Sequence, residues 1–214
     1  MKEIINYYNQ ARPELASFVP LSIKRILDIG CGQGAFLKII KEKTGAETWG
    51  IEMAAEVAEN AKDHVDNVLV GKVEDILNSI PDVYFDCISF NDVLEHLLEP
   101  TDILKMIRTK LSEKGIIIAS IPNVRFLINL YDLFIKKDWE YKEDGILDST
   151  HLRFFTQKSM KRMFETAGYI IIKQEGINKI DSWKFWLFNF FTIGFFSDTK
   201  YPQFICIAKT NLAK

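Results

Sequence analysis

A chain of 214 residues, 48% hydrophobic and 26% charged, has the make-up of one globular domain and excludes a disordered or low-complexity protein. Its 27 Lys and Arg offset 29 Asp and Glu for a formal charge of −2, which excludes the basic surplus of a nucleic-acid binder. The three cysteines, Cys31, Cys87 and Cys206, lack the number and spacing of a disulfide framework or a zinc site, so a reduced, cytoplasmic setting is expected. Met1 to Tyr8 carry no signal-peptide core, and no run of about 18–20 apolar residues could span a bilayer.

Residues 25–29 read as a short buried strand that runs into a glycine cluster. Residues 35–43 then switch to helical spacing, with Phe36, Leu37, Ile39 and Ile40 set against lysines. Gly45 closes that helix, and residues 48–52 form the next strand. An Ala- and Glu-rich helix over 54–64 and a strand over 67–70 follow. Next come an apolar strand over 84–90, an amphipathic helix over 101–111 and a buried strand over 115–121. A helix over 156–167, N-capped by Thr156 and stopped by Gly168, precedes strands over 169–173 and 204–208. Strands alternating with helices of about 10–15 residues, in apolar runs without alternation, predict an α/β fold with a doubly wound, mostly parallel sheet. A single domain over 1–214 is expected. Residues 124–150 and 176–202 break the rhythm and read as insertions.

The chemistry is concentrated after the first strand, in Asp28-Ile29-Gly30-Cys31-Gly32-Gln33-Gly34-Ala35. Gly30-x-Gly32-x-x-Ala35 fits a dinucleotide fingerprint, which keeps a nicotinamide-dependent oxidoreductase in view. Two features turn the reading elsewhere. Asp28, at the strand end, would repel a pyrophosphate and attract an ammonium group. The third glycine is Gly34, a closer spacing than the fingerprint has. Glu52 then ends the second strand, where a carboxylate can accept both hydroxyls of a ribose. An adenosine with an amino-acid tail and no phosphates satisfies these points, and S-adenosyl-L-methionine is that ligand. A non-catalytic cofactor-binding scaffold is the third reading.

The segment 26–34 followed by Glu52 resembles the class I S-adenosylmethionine-dependent methyltransferases. Residues 85–97 (Phe-Asp-Cys-Ile-Ser-Phe-Asn-Asp-Val-Leu-Glu-His-Leu) are similar to the fourth-strand motif of the subgroup containing quinone-precursor O-methyltransferases. So are Ser120-Ile121-Pro122-Asn123 and residues 151–156. The resemblance covers roughly residues 7–173 and implies a Rossmann-like seven-stranded sheet with an antiparallel last strand. It implies that Asp28, Gly30, Cys31, Gly32 and Gly34 hold the methionine end of the cofactor and that Glu52, with Met53 beside it, holds the ribose. Val73 and Glu74 would meet the adenine, although Lys72 stands where many relatives have an acid. Asn91 would close the pocket, and Tyr8 and Arg12 resemble an aromatic–arginine pair near the cofactor carboxylate.

His96, just past the fourth strand, titrates near neutrality and is a candidate base, with Asp92 beside it and His151 at the return from the first insertion. In the quinone-precursor subgroup an acid-x-x-Glu-His pattern binds a divalent metal, and Asp92, Glu95 and His96 match it. Adjacent residues alone do not make a metal site, and none is assigned. The expected acceptor is a hydroxyl of a small or lipid-linked molecule, a quinone precursor or a glycan sugar, selected by 124–150 acting as a lid. In the aromatic stretch 183–196, Trp183, Trp186, Leu187, Phe190 and Phe191 share helical spacing and are expected to face the core. Phe185, Phe188, Phe195 and Phe196 are left for a lid, a homodimer interface or peripheral contact with a membrane.

Overall fold

The computed structural model describes residues 11–211. Its strands are β1 Arg25–Ile29, β2 Glu47–Glu52, β3 Asn67–Val70, β4 Phe85–Asn91, β5 Leu111–Pro122, β6 Tyr169–Ile177 and β7 Gln203–Thr210. They form one seven-stranded sheet in the order β3-β2-β1-β4-β5-β7-β6. β1 to β5 pair in parallel, and β7 runs antiparallel to both β5 and β6. The helices are α1 Pro13–Ala16, α2 Ala35–Thr44, α3 Ala55–Ala61, α4 Val73–Ile76, α5 Pro100–Ile107, α6 Leu127–Tyr131, α7 Gln157–Thr166 and α8 Trp183–Phe191. This is the doubly wound sheet with a reversed last strand that the sequence predicts.

Successive side chains of a strand point to opposite faces, and here both faces are covered. Ile26, Cys87, Ile118 and Ile205 pack with Leu15, Phe36, Leu37 and Ile40 on one side. Leu27, Ile88, Ile117 and Cys206 pack with Ile103, Leu104, Met160 and Phe164 on the other. That double burial is why these strands read as unbroken apolar runs. The predicted caps hold: Gly45 ends α2 in the left-handed region, with its N–H on the Lys41 carbonyl, and Thr156 opens α7 in a reciprocal capping box with Ser159. The helix expected over 101–111 is shorter, because the chain turns through Arg108–Lys110 and Leu111 already pairs with Phe85. β6 continues past 173 because β7 pairs with it as far as Ile177 opposite Gln203.

The parallel strands send their carboxyl ends to one rim. Gln203 pairs there with Pro122 and Ile177, so the 123–155 and 178–202 connections gather on the same rim as the glycine loop. The inward face of α8 is not the predicted one. Trp183 is 71% exposed and Phe191 74%, whereas Phe185 is buried at 8%. Phe185 and Phe188 line an apolar groove with Leu127 and Ile180. A helix with rings on nearly every face has no polar side to mark its exterior, so spacing alone could not orient it. Among the described residues, no helix is long and apolar enough to cross a membrane.

Candidate active site

β1 ends at Ile29 and the chain turns into α2 through Gly30, Gly32 and Gly34, whose φ angles are 71°, 54° and 79°. A Cβ on Gly30 would lie 2.6 Å from Val93 Cγ2, and one on Gly34 would lie 2.7 Å from Val65 Cγ2. Both conformation and space therefore require glycine at these two positions. The N–H groups of Gly30 and Cys31 donate to the Ile51 carbonyl at 2.8 and 3.1 Å. Gly32 N–H donates to Glu52 Oε2 at 3.0 Å, and Ala54 N–H donates to Glu52 Oε1 at 2.9 Å. The buried Glu52 carboxylate is thus fastened to the loop at the tip of β2.

Asp28 lies opposite Ser89 in the β1–β4 register. Ser89 Oγ donates to Asp28 Oδ1 at 2.7 Å, and Asn91 Nδ2 donates to the same oxygen at 3.0 Å. Burial lifts the Asp28 carboxyl to about 8, with the Ser89 hydrogen bond opposing and the nearby Glu52 adding to the rise. Asn91 Oδ1 is buried without a hydrogen-bond partner, an acceptor left for a ligand. A cation beside Asp28 would find a matched carboxylate in an enclosed place. Ser89 escaped the sequence reading, although a polar residue two positions before Asn91 shares its strand face. Burial pushes the Cys31 thiol well up, so it is no nucleophile.

Gly71 N–H donates to the Glu52 carbonyl at 2.9 Å and brings the start of α4 beside β2. Val73 turns its side chain into the core and Glu74 stands exposed in the first turn of that helix. Met53 is exposed next to Glu52. Tyr8 lies outside the described residues. The Arg12 guanidinium pairs with the Asp92 carboxylate and reaches Gln203 Oε1 at 3.2 Å. Asp92 also accepts from Ser120 Oγ at 2.8 Å and Gln203 Nε2 at 2.9 Å. The sequence grouped Asp92 with His96. The fold bonds it to Arg12 and to β5 and β7, while its charge still reaches Glu95, and it sits at φ 55°.

The partner of Glu95 and His96 is His151. Glu95 carbonyl accepts the N–H groups of Leu152 and Arg153 at 2.9 and 3.0 Å, which stitches the 151–153 segment to the end of β4. His151 Nδ1 lies 2.9 Å from the Ile146 carbonyl. A carbonyl only accepts, so Nδ1 carries a proton, and in the neutral ring it is Nε2, 4.0 Å from Glu95 Oε1, that presents a lone pair. His96 Nδ1 faces the Thr150 carbonyl at 3.3 Å, and its ring meets that of His151 edge-on at 4.7 Å. Burial, and then the neighbouring His151, lowers the His96 pKa. Burial, and then Asp92, holds the Glu95 carboxyl well above its ordinary range. Neither Glu95 oxygen has a hydrogen-bond partner, and one donor atom from each of Glu95, His96 and His151 falls within 4.8 Å of the others. Two imidazoles and a carboxylate are a donor set that fits a divalent cation.

A model of the methyltransferase domain matches residues 1–174, and the chain belongs to that family. Its cofactor is S-adenosyl-L-methionine. The ubiquinone biosynthesis O-methyltransferase of Aeromonas salmonicida is 29% identical over 161 residues, 72% of this chain and 66% of that protein. The mitochondrial ubiquinone biosynthesis O-methyltransferase of Schizosaccharomyces pombe is 34% identical over 103 residues, 45% of this chain and 37% of that one. The matches thus span less than two thirds of either relative. Among solved structures, an Archaeoglobus fulgidus SAM-dependent methyltransferase superposes with a TM-score of 0.66 at 23% identity, covering 98% of this chain and 94% of that one. A putative Haloferax volcanii methyltransferase, solved with the activator Trm112, gives 0.69 at 14% identity over 98% and 92%. Both share the fold.

Proposed function

We propose that the protein moves the methyl group of S-adenosylmethionine to a hydroxyl of a small acceptor, a quinone precursor or a glycan sugar, free or lipid-linked, in the cytoplasm. The observation that carries this reading is the clasp at the rim. Asp28, held by Ser89 and Asn91, offers a carboxylate for the cofactor ammonium, and Glu52, tied to Gly32, offers one for the ribose hydroxyls. The Val73 backbone and the Glu74 side chain flank the adenine, and Met53 covers the ribose edge. Arg12, through Asp92, fixes the start of α1 at the rim.

Transfer is an in-line displacement. The acceptor oxygen attacks the sulfonium methyl carbon, the C–O bond forms as the C–S bond breaks, and S-adenosylhomocysteine departs. The main work of the site is to hold the two reactants aligned, with water kept away. The acceptor proton goes to an imidazole, and His151 Nε2, oriented by its Nδ1–H on Ile146, is the candidate base, with His96 beside it. A divalent cation held by Glu95, His96 and His151 would instead make an acceptor hydroxyl more acidic, and the His151 Nε2 lone pair would then be a ligand and not the base. Residues 124–150, rising from the end of β5, select the acceptor.

Isothermal titration with S-adenosylmethionine, S-adenosylhomocysteine and NAD tests the reading. Both adenosyl ligands are expected to bind, and Glu52→Ala is expected to weaken them at least about tenfold by removing a charged acceptor, roughly 1.5–3 kcal/mol. Binding of NAD alone would return the oxidoreductase, and binding of none would leave a scaffold.

A further inference from the structure

Residues 183–196 lie beyond the 1–174 stretch matched to the methyltransferase family. Trp183, Trp186, Phe190 and Phe191 of α8 are 65–74% exposed, and in the turn that follows Phe195 is 71% and Ile193 95% exposed. Contiguous apolar surface of this kind is rare on a protein with nothing to cover it. We propose that α8 and this turn are a docking surface for an anionic lipid bilayer. The contact itself stands on the surface alone, and only its purpose, access to a lipid-held acceptor, rests on the methyl-transfer reading.

Three observations favour a bilayer over a second copy of the chain. Exposed rings and Leu187 spread over about 200° of the α8 circumference at 100° per residue, wider than the stripe a helix lays on one packed face. A bilayer can surround a protruding helix, whereas a flat partner face covers one side of it. Tryptophan, phenylalanine and leucine are also the side chains on the buried face of helices that lie in the bilayer interface. The second observation is charge. No acidic residue occurs between Ser182 and Ser197, where the charged residue is Lys184. The flanking acids are engaged, Asp198 by Arg125 at 2.7 Å and Asp181 by Lys179 at 3.0 Å, while Lys184 is exposed. The local field therefore suits an anionic surface. The third is position. The 178–202 connection leaves the sheet at the rim that carries the glycine loop, and α8 meets the start of α6 in a mainly apolar groove of about 290 Å³ lined by Leu127, Ile180, Ser182, Lys184, Phe185 and Phe188. A membrane on this face would lie beside the site and not behind it.

Flotation of the full chain with phosphatidylcholine vesicles, with and without phosphatidylglycerol, tests the proposal. Wild type is expected to float with the anionic vesicles. The double variant Trp186→Ser/Phe191→Ser, made at exposed positions, should lose at least tenfold in partitioning while its thermal midpoint and cofactor binding stay unchanged. Lys184→Glu should reduce flotation on anionic vesicles. Absence of flotation by wild type, or equal flotation by the double variant, overturns the proposal. A wild-type dimer that the double variant converts to monomers, with no flotation, assigns the face to a second copy. Cofactor binding without flotation removes the docking surface and leaves the methyl-transfer reading standing. Flotation without cofactor binding does the reverse.

Discussion

Asp28→Asn is expected to remove a pH dependence from the stability of the protein. Asp28 is 2% exposed, and burial lifts its carboxyl from 3.8 to about 8. Between those values the folded chain keeps a proton that the unfolded chain has released, so rising pH favours unfolding. One proton held in excess amounts to about 1.4 kcal/mol per pH unit. The slope fades as the folded carboxyl ionises, so the wild type should lose about 2 kcal/mol between about pH 6 and about pH 8 through this group. Asparagine resembles the neutral acid in shape. Its oxygen can accept from both Ser89 and Asn91, which already share Oδ1, and its amide takes the place of Oδ2. Urea unfolding of both proteins across that range measures the effect. The stability of the variant relative to wild type should grow by about 2 kcal/mol and level off above about pH 8. A difference that stays flat with pH would refute the buried-carboxyl argument. The same variant should bind S-adenosylmethionine less well, since a neutral amide cannot balance an ammonium group.

Gly30→Ala places a side chain at φ 71° with its Cβ 2.6 Å from Val93 Cγ2. It should cost about 2–4 kcal/mol and lower the melting temperature by roughly 5–15 °C. Val93→Ala in the same chain should restore part of the loss, and strictly additive effects would sink the clash argument. Calorimetric titration with zinc or magnesium should show binding weakened at least about tenfold, or 1.4 kcal/mol, by Glu95→Gln and by His151→Gln. Asp92→Asn should weaken it far less, because Asp92 acts on Glu95 through its charge and is not one of the three donors. Equal loss in all three variants would restore the grouping of Asp92 with Glu95 and His96.

Much of the site was written into local sequence because its requirements are local. A strand with Asp28 in its last two residues, glycines at three left-handed positions and a carboxylate ending the next strand are constraints within one β–α–β unit, and their spacing carries them. The caps at Gly45 and Thr156 are local in the same sense. The partners were not local. His151 joins Glu95 and His96 only because the 123–155 connection folds back onto the end of β4, and Arg12 finds Asp92 only because β5 and β7 bring Ser120 and Gln203 to the same corner. The orientation of α8 belongs with these. Periodicity marks stripes, but in a helix of rings every stripe is apolar, so the tertiary fold, which turns Phe185 toward the groove shared with Leu127 and Ile180, chose the buried ring. Spacing along the chain reports what a residue can do within its own turn of backbone, and contacts across the sheet decide what it touches.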